Sequence, residues 1–144
     1  MQVQYKGYLM AGSFALDISK FVNKTHSNVD LVTRRIVTDV MRSVMKKSPV
    51  DTGRFKGNWQ YGVGEMPTGQ LDIYDKSGSG TLTHLMGKVP KEAAGKLHYL
   101  VNNLPYSIRL ENGYSSQCPP NGMVGLTISE YQGIVRHAAQ EVNP

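Results

Sequence analysis

Between Phe14 and Lys47 the apolar residues recur every three or four positions: Phe14, Ile18, Phe21, Val22, Val29, Val32, Ile36, Val37, Val40, Met41, Val44 and Met45. That spacing lays one apolar stripe along a helix and predicts a single long helix over 13–48. Ser13 is its expected N-cap, because a serine hydroxyl can accept from a free amide of the first turn. The polar run at 23–28 is weak helix-forming material and marks where the helix would kink or split. Unbroken, it is roughly 50 Å long at about 1.5 Å per residue. A compact domain of this size needs less, so the surplus length points to self-association. Ser48 before Pro49 stops the helix, since proline lacks an amide donor and disfavours helical geometry in the residue preceding it.

The remaining pattern is shorter and more broken. Residues 1–12 read as an arm in which polar and aromatic positions alternate. Residues 49–130 read as a sheet region. Within it, Asp51 is expected to cap a short turn, and Gly53 and Gly57 permit close backbone approach. Trp59–Val63 alternates as a strand with one buried face does, and Lys96–Asn102 has strand composition. Glycines at 64, 69, 78, 80, 87 and 95 interrupt every run over 64–95, which reads as a flexible loop holding at most a short strand at Leu71–Tyr74. Leu104–Asn112 predicts a short helix after Pro105, with Gly113 as its C-terminal cap. Cys118–Gly122 reads as a rigid turn and Met123–Leu126 as the entry to a last strand. A closing helix over 128–142 carries Tyr131, Ile134, Val135, Ala138 and Ala139 on one apolar face. Helix, strands, helix in one 144-residue domain is an α+β fold with a small, mostly antiparallel sheet.

Composition narrows the function classes. With 40% hydrophobic and 19% charged residues the chain is too apolar to be wholly disordered. No long apolar run opens it and none is long enough to span a membrane, so neither secretion nor a membrane is expected. One cysteine, Cys118, allows no disulfide framework and no multi-cysteine metal cluster, and it suits a reducing cytoplasm. The net charge of +5 is modest, but Lys20 to Lys56 holds nine cations against three aspartates. Arg34, Arg35, Arg42 and Lys46 avoid the apolar stripe and make a basic outer face. Such a face is either solvated or meets an acidic partner or DNA phosphates, without reading sequence.

Catalytic motifs match poorly. Asp51-Thr52-Gly53 is the aspartyl-protease triplet in a single copy, so catalysis would need a homodimer. Arg54 follows it and sets a positive charge beside a carboxylate that would have to share a proton. Gly87-Lys88 lacks both the upstream glycine and the following hydroxyl of a phosphate loop, since positions 82 and 89 are leucine and valine. His26, His84, His98 and His137 are far apart, with no pair at ligand spacing. No cofactor, metal or enzymatic activity is expected.

Two blocks are more specific. Ser48-Pro49-Val50-Asp51-Thr52-Gly53-Arg54-Phe55-Lys56-Gly57-Asn58-Trp59 resembles a segment of bacteriophage neck and tail-completion proteins, with Asn58 where serine is usual. Asn102-Asn103-Leu104-Pro105-Tyr106-Ser107-Ile108-Arg109-Leu110-Glu111-Asn112-Gly113-Tyr114-Ser115 resembles a second segment of the same family, with Tyr114 where tryptophan is usual. The resemblance implies a structural virion protein assembled in the host cytoplasm, forming a ring, commonly a hexamer, at the head–tail junction. Its expected partners are copies of itself, an adjacent connector, adaptor or terminator ring, the tail tube and passing genome DNA. Pro49, Asp51, Thr52, Gly53, Arg54 and Trp59 of the first block and Asn102, Pro105, Tyr106, Leu110, Glu111 and Gly113 of the second are expected to be scaffold. Tyr106 and Leu110 should face one core, and Arg54 should pair with Glu111 where the blocks meet. The competing reading is a nucleic-acid-binding protein that uses the basic helix face.

Overall fold

A computed structural model describes residues 12–113, 116–117 and 122–142, with side chains from Ser27 onward. Residues 1–11 of the expected arm and the turn at 118–121 lie outside those bounds; Ser13 does not precede the helix as a cap would, because α1 already includes Gly12.

Helix α1 runs Gly12–Lys47 and passes through the polar run at 23–28 without a break. Its C-terminal end is closed by side chain and backbone together. The Ser48 hydroxyl donates to the Val44 carbonyl at 2.8 Å and the Ser48 amide to Met45 at 3.2 Å. Met41, Val44 and Met45 from this end are buried in the core. Helix α2, Arg54–Gly57, follows one turn later, and strand β1, Trp59–Val63, leaves directly from it. Strand β2, His98–Asn102, pairs antiparallel with β1 in a register that sets Trp59 against Asn102 and Val63 against His98. Helix α4 spans Ser107–Glu111 and helix α5 spans Met123–Val142. The fold is α+β, and among the described residues the sheet has these two strands.

Three expectations need correction. The stretch 64–95 is not one loop, because Ser79–Gly87 is helix α3 and Leu85, Val89 and Ala93 are core residues. Its start is fixed by Asp75, whose carboxylate accepts from the amides of Gly78 at 3.0 Å and Thr81 at 2.8 Å. Residues 71–74 form no regular element and join no ladder. They are held instead by the Leu71 amide on Asn58 Oδ1 at 2.7 Å and, just beyond them, the Asp75 amide on the Gly53 carbonyl at 3.0 Å. Met123–Leu126 is not a strand but the first turn of α5, which therefore starts five residues earlier than the apolar pattern suggests.

The Asp75 cap has a pH signature. Its hydrogen bond from the Thr81 amide, reinforced by the Gly78 amide and the Thr81 and Ser77 hydroxyls, holds its pKa below the ordinary aspartate value. A carboxylate lowered on folding stabilises the protein above its unfolded pKa, and that contribution fades as pH falls through the folded value. Asp75→Asn keeps only one of the two accepting oxygens and is expected to cost about 1 kcal/mol near neutrality. In urea melts the gap to wild type should close on acidification; a gap that persists in acid would contradict the cap.

Helix α5 runs antiparallel to α1. Near its start Glu130 meets Lys47 Nζ at 2.9 Å, and near its end Glu141 meets Arg35 Nη2 at 3.0 Å. Lys47 also donates to Ser43 and Thr127, so the two helices share a hydroxyl-lined polar seam beside their apolar contacts. The Lys47 ammonium is the first cause, by hydrogen bond and by charge, of a Glu130 pKa below its ordinary value.

Candidate functional site

The two sequence blocks, over forty residues apart in the chain, fold into one joint. The first block turns sharply at Gly53, whose φ of +86° suits a residue without a Cβ. A Cβ there would lie 2.4 Å from the Lys76 amide nitrogen, and one on Gly57 would lie 2.5 Å from the Ile73 carbonyl oxygen. Both glycines do permit close approach, but to the irregular segment 73–76 rather than to the sheet. The expected cap passes from Asp51, which is exposed, to Thr52, whose hydroxyl accepts from the Arg54 amide at 3.3 Å.

Trp59 anchors the joint as expected. It is buried edge-on to Phe55, with ring centroids 5.8 Å apart, and its indole N–H donates to the Ser48 hydroxyl at 2.9 Å. The second block closes over it. Asn102 donates to the Phe55 carbonyl at 2.9 Å while its own Oδ1 accepts from the Leu104 amide, and Leu104 is buried. Pro105 is exposed at the entry to α4, and Gly113 ends that helix at a φ of +85°. Leu110 packs on the core, whereas Tyr106 tilts over Phe55 at 6.2 Å and stays partly exposed. Pro49, Asp51, Arg54, Phe55, Tyr106 and Leu110, drawn from both blocks, line an open cleft of about 330 Å³.

Arg54 and Glu111 do not pair. Arg54 reaches Gln70 Oε1 at 3.4 Å, while Glu111 turns to the start of α5 and accepts from the amides of Val124 at 3.0 Å and Gly125 at 2.9 Å. The physical reason is the helix end itself: unpaired first-turn amides and a partial positive charge attract the carboxylate. Gly122, at a φ of +80°, brings the chain close enough, since a Cβ there would lie 2.2 Å from the Glu111 carboxylate. Glu111→Ala is expected to cost about 1–2 kcal/mol through the lost cap. Equal urea midpoints for variant and wild type would remove that role.

The basic residues of α1 do not make one face. At about 100° per residue, Arg35, Arg42 and Lys46 fall together and Arg34 lies far round the helix. Asp39 sits between the first two, 3.1 Å from Arg35 and 2.9 Å from Arg42, and Glu141 takes the other side of Arg35. Arg35 and Arg42 thus meet two carboxylates, which offset part of the positive charge on that side.

Two of the four histidines have structural partners. His98 lies between the Tyr61 hydroxyl at 2.6 Å and the Ala93 carbonyl at 2.8 Å. A carbonyl only accepts, so Nε2 carries the proton and Nδ1 accepts from Tyr61. Burial pushes the Tyr61 phenol above its ordinary pKa. His137 faces Glu141 at 3.0 Å. Among the described residues no three His, Cys, Asp or Glu side chains gather as a metal site, and no helix is long and apolar enough to cross a membrane.

Sequence reasoning missed Asn58 and Asp75. Asn58 is fully buried and spends both ends of its amide, donating to the Arg54 carbonyl at 2.7 Å and accepting from Leu71. An asparagine between Gly57 and Trp59 gives no local sign of this, because its second partner is thirteen residues away. For α3 a signal was present in Leu82, Leu85, Met86 and Val89, hidden among glycines. Comparison with protein-family models, with curated proteins and with solved structures finds no match to this chain.

Proposed function

We propose that this protein is a structural component of a tailed-phage virion, forming a ring in the neck at the head–tail junction. One observation carries the reading. The two blocks that resemble neck and tail-completion proteins meet through the Asn102 amide on the Phe55 carbonyl and the Tyr106 ring over Phe55. Residues related only by resemblance to a common family have no need to touch; those that brace a shared scaffold do. The exposed members Asp51, Thr52 and Tyr106 line the joint's open face, where an adjacent ring or tube subunit would seat. On this reading the chain assembles in the host cytoplasm, binds copies of itself and neighbouring connector or tail-tube proteins, and performs no reaction.

The test is assembly. Purified full-length protein is expected to form a closed oligomer by light scattering, and electron microscopy should find it at the neck of intact particles. A protein that stays monomeric at tens of micromolar and binds duplex DNA with a steep salt dependence would favour the nucleic-acid reading instead.

A further inference from the structure

The outer edge of β1 faces a cleft and not a third strand. The Gly64 amide donates to the Leu97 carbonyl at 2.8 Å, and along an antiparallel ladder alternate residues turn their backbone groups the same way. Gln60 and Gly62 therefore pair toward β2, while Tyr61 turns its amide and carbonyl to the other side. Among the described residues no hydrogen bond takes either group there. Helix α3 stands across from this edge, and between the two lies a cavity of about 400 Å³ that Tyr61 helps to line. Its walls are largely apolar, built from Trp59, Pro67, Leu71, Ile73 and Leu85. They are set in advance, because Asn58 holds Leu71, the Gly53 carbonyl holds Asp75, and Asp75 caps α3.

The open charge of the cleft sits at one end. His84 and Lys88 are one helical turn apart on the cleft side of α3, and both are exposed at its mouth. Neither side chain enters a hydrogen bond or ion pair among the described residues. Asp75 lines the cleft too, but its two oxygens are already taken by the amides of Gly78 and Thr81. Thr81 lies about 10 Å back along the helix axis from Lys88, so that cap does not neutralise the ammonium.

We infer that this cleft receives the C-terminal end of a partner's polypeptide, which enters as a strand beside β1 and carries an apolar last residue with a free carboxylate. Each part of that ligand answers one feature of the site. An extended backbone supplies the acceptor and donor that the Tyr61 amide and carbonyl lack. The last side chain fills the space between Leu71, Ile73 and Leu85, and the terminal carboxylate meets Lys88, with His84 beside it. A neutral or cationic end would leave the Lys88 ammonium unanswered. The cleft lies within one chain, so its test does not depend on ring formation.

The probe is the peptide acetyl-Thr-Val-Thr-Val-Leu with a free C-terminus, titrated into full-length protein. Binding is followed by calorimetry and by the emission of Trp59, the single tryptophan, which is a wall of the cleft. Saturable binding is expected, and the C-terminal amide of the same peptide should need about ten times the concentration. Lys88→Gln should weaken the acid to the level of the amide and leave the amide unchanged, and Lys88→Arg should restore most of the difference. Lys88 is exposed, so both variants should keep the far-ultraviolet dichroism of wild type. A peptide N-methylated along its backbone cannot donate to a strand edge and should bind about tenfold more weakly than its parent. Acid and amide that bind alike, or a Lys88→Gln protein that keeps the preference, would overturn the carboxylate site. An N-methylated peptide as tight as its parent would overturn strand addition and leave a free apolar carboxylate as the occupant. No heat and no emission change up to millimolar peptide would overturn the whole proposal.

Discussion

Gly53→Ala should lower stability by about 3–4 kcal/mol. Two costs combine. A left-handed conformation at a φ of +86° costs a residue with a Cβ about 1–2 kcal/mol. The new methyl would also sit 2.4 Å from the Lys76 nitrogen and 2.5 Å from the Asp75 carbonyl carbon, which are backbone atoms with no rotamer to retreat into. Relief requires moving the Ile73–Lys76 segment, which breaks the Asp75 amide bond to the Gly53 carbonyl and disturbs the carboxylate that caps α3. In urea the midpoint should fall by about 2 M at a slope of about 1.5–2 kcal/mol/M. Gly64→Ala separates the two costs, because Gly64 has a φ of +75° with nothing within 4 Å of a Cβ. It should lose only the conformational part. Equal losses at the two positions would mean the close approach at Gly53 carries no energy.

Trp59→Ala is the second large effect, at about 4 kcal/mol. The substitution empties the space between Phe55, the end of α1 and the second block, and it removes the donor that the Ser48 hydroxyl accepts. Trp59→Phe keeps most of the ring and loses the N–H, and should cost about 1–2 kcal/mol. Ser48 both accepts from the indole and donates to the Val44 carbonyl, so Ser48→Ala and Trp59→Phe should not add. Additive losses in that double-mutant cycle would dissolve the proposed relay from strand to helix end.

What could be read from the chain followed how local its physics is. The long helix, its stop at Ser48-Pro49, strand β1, strand β2 and the Gly113 cap each depend on residues within one turn of one another, and all were legible. The start of α5 was not, because its cap is the carboxylate of Glu111, twelve residues before Met123. Leu71–Tyr74 reads at most as a short strand because β-prone composition does not say what a segment binds to; the partners here are Asn58 and, for Asp75 just beyond it, Gly53. Helix α3 was masked by its own glycines, although the Leu82, Leu85, Met86, Val89 spacing was there to count. At the joint, the anchoring by Trp59 and a close approach at Gly53 and Gly57 are legible, but not that the glycines meet residues 73–76 instead of the sheet, nor the distance between Arg54 and Glu111. The basic face failed on angle: charge was counted along α1, but Arg34 turns away and Asp39 intervenes.

The chain contains a single tryptophan, and it lies at the joint. Intrinsic emission therefore observes that one place, while far-ultraviolet dichroism is dominated by the helices. Fraying at the N-terminal half of α1 would dim the second signal and leave the first untouched. Opening between the blocks would redden the indole before much helix is lost. Two ordinary spectrometers thus report separately on the joint and on the long helix, with no label attached to either.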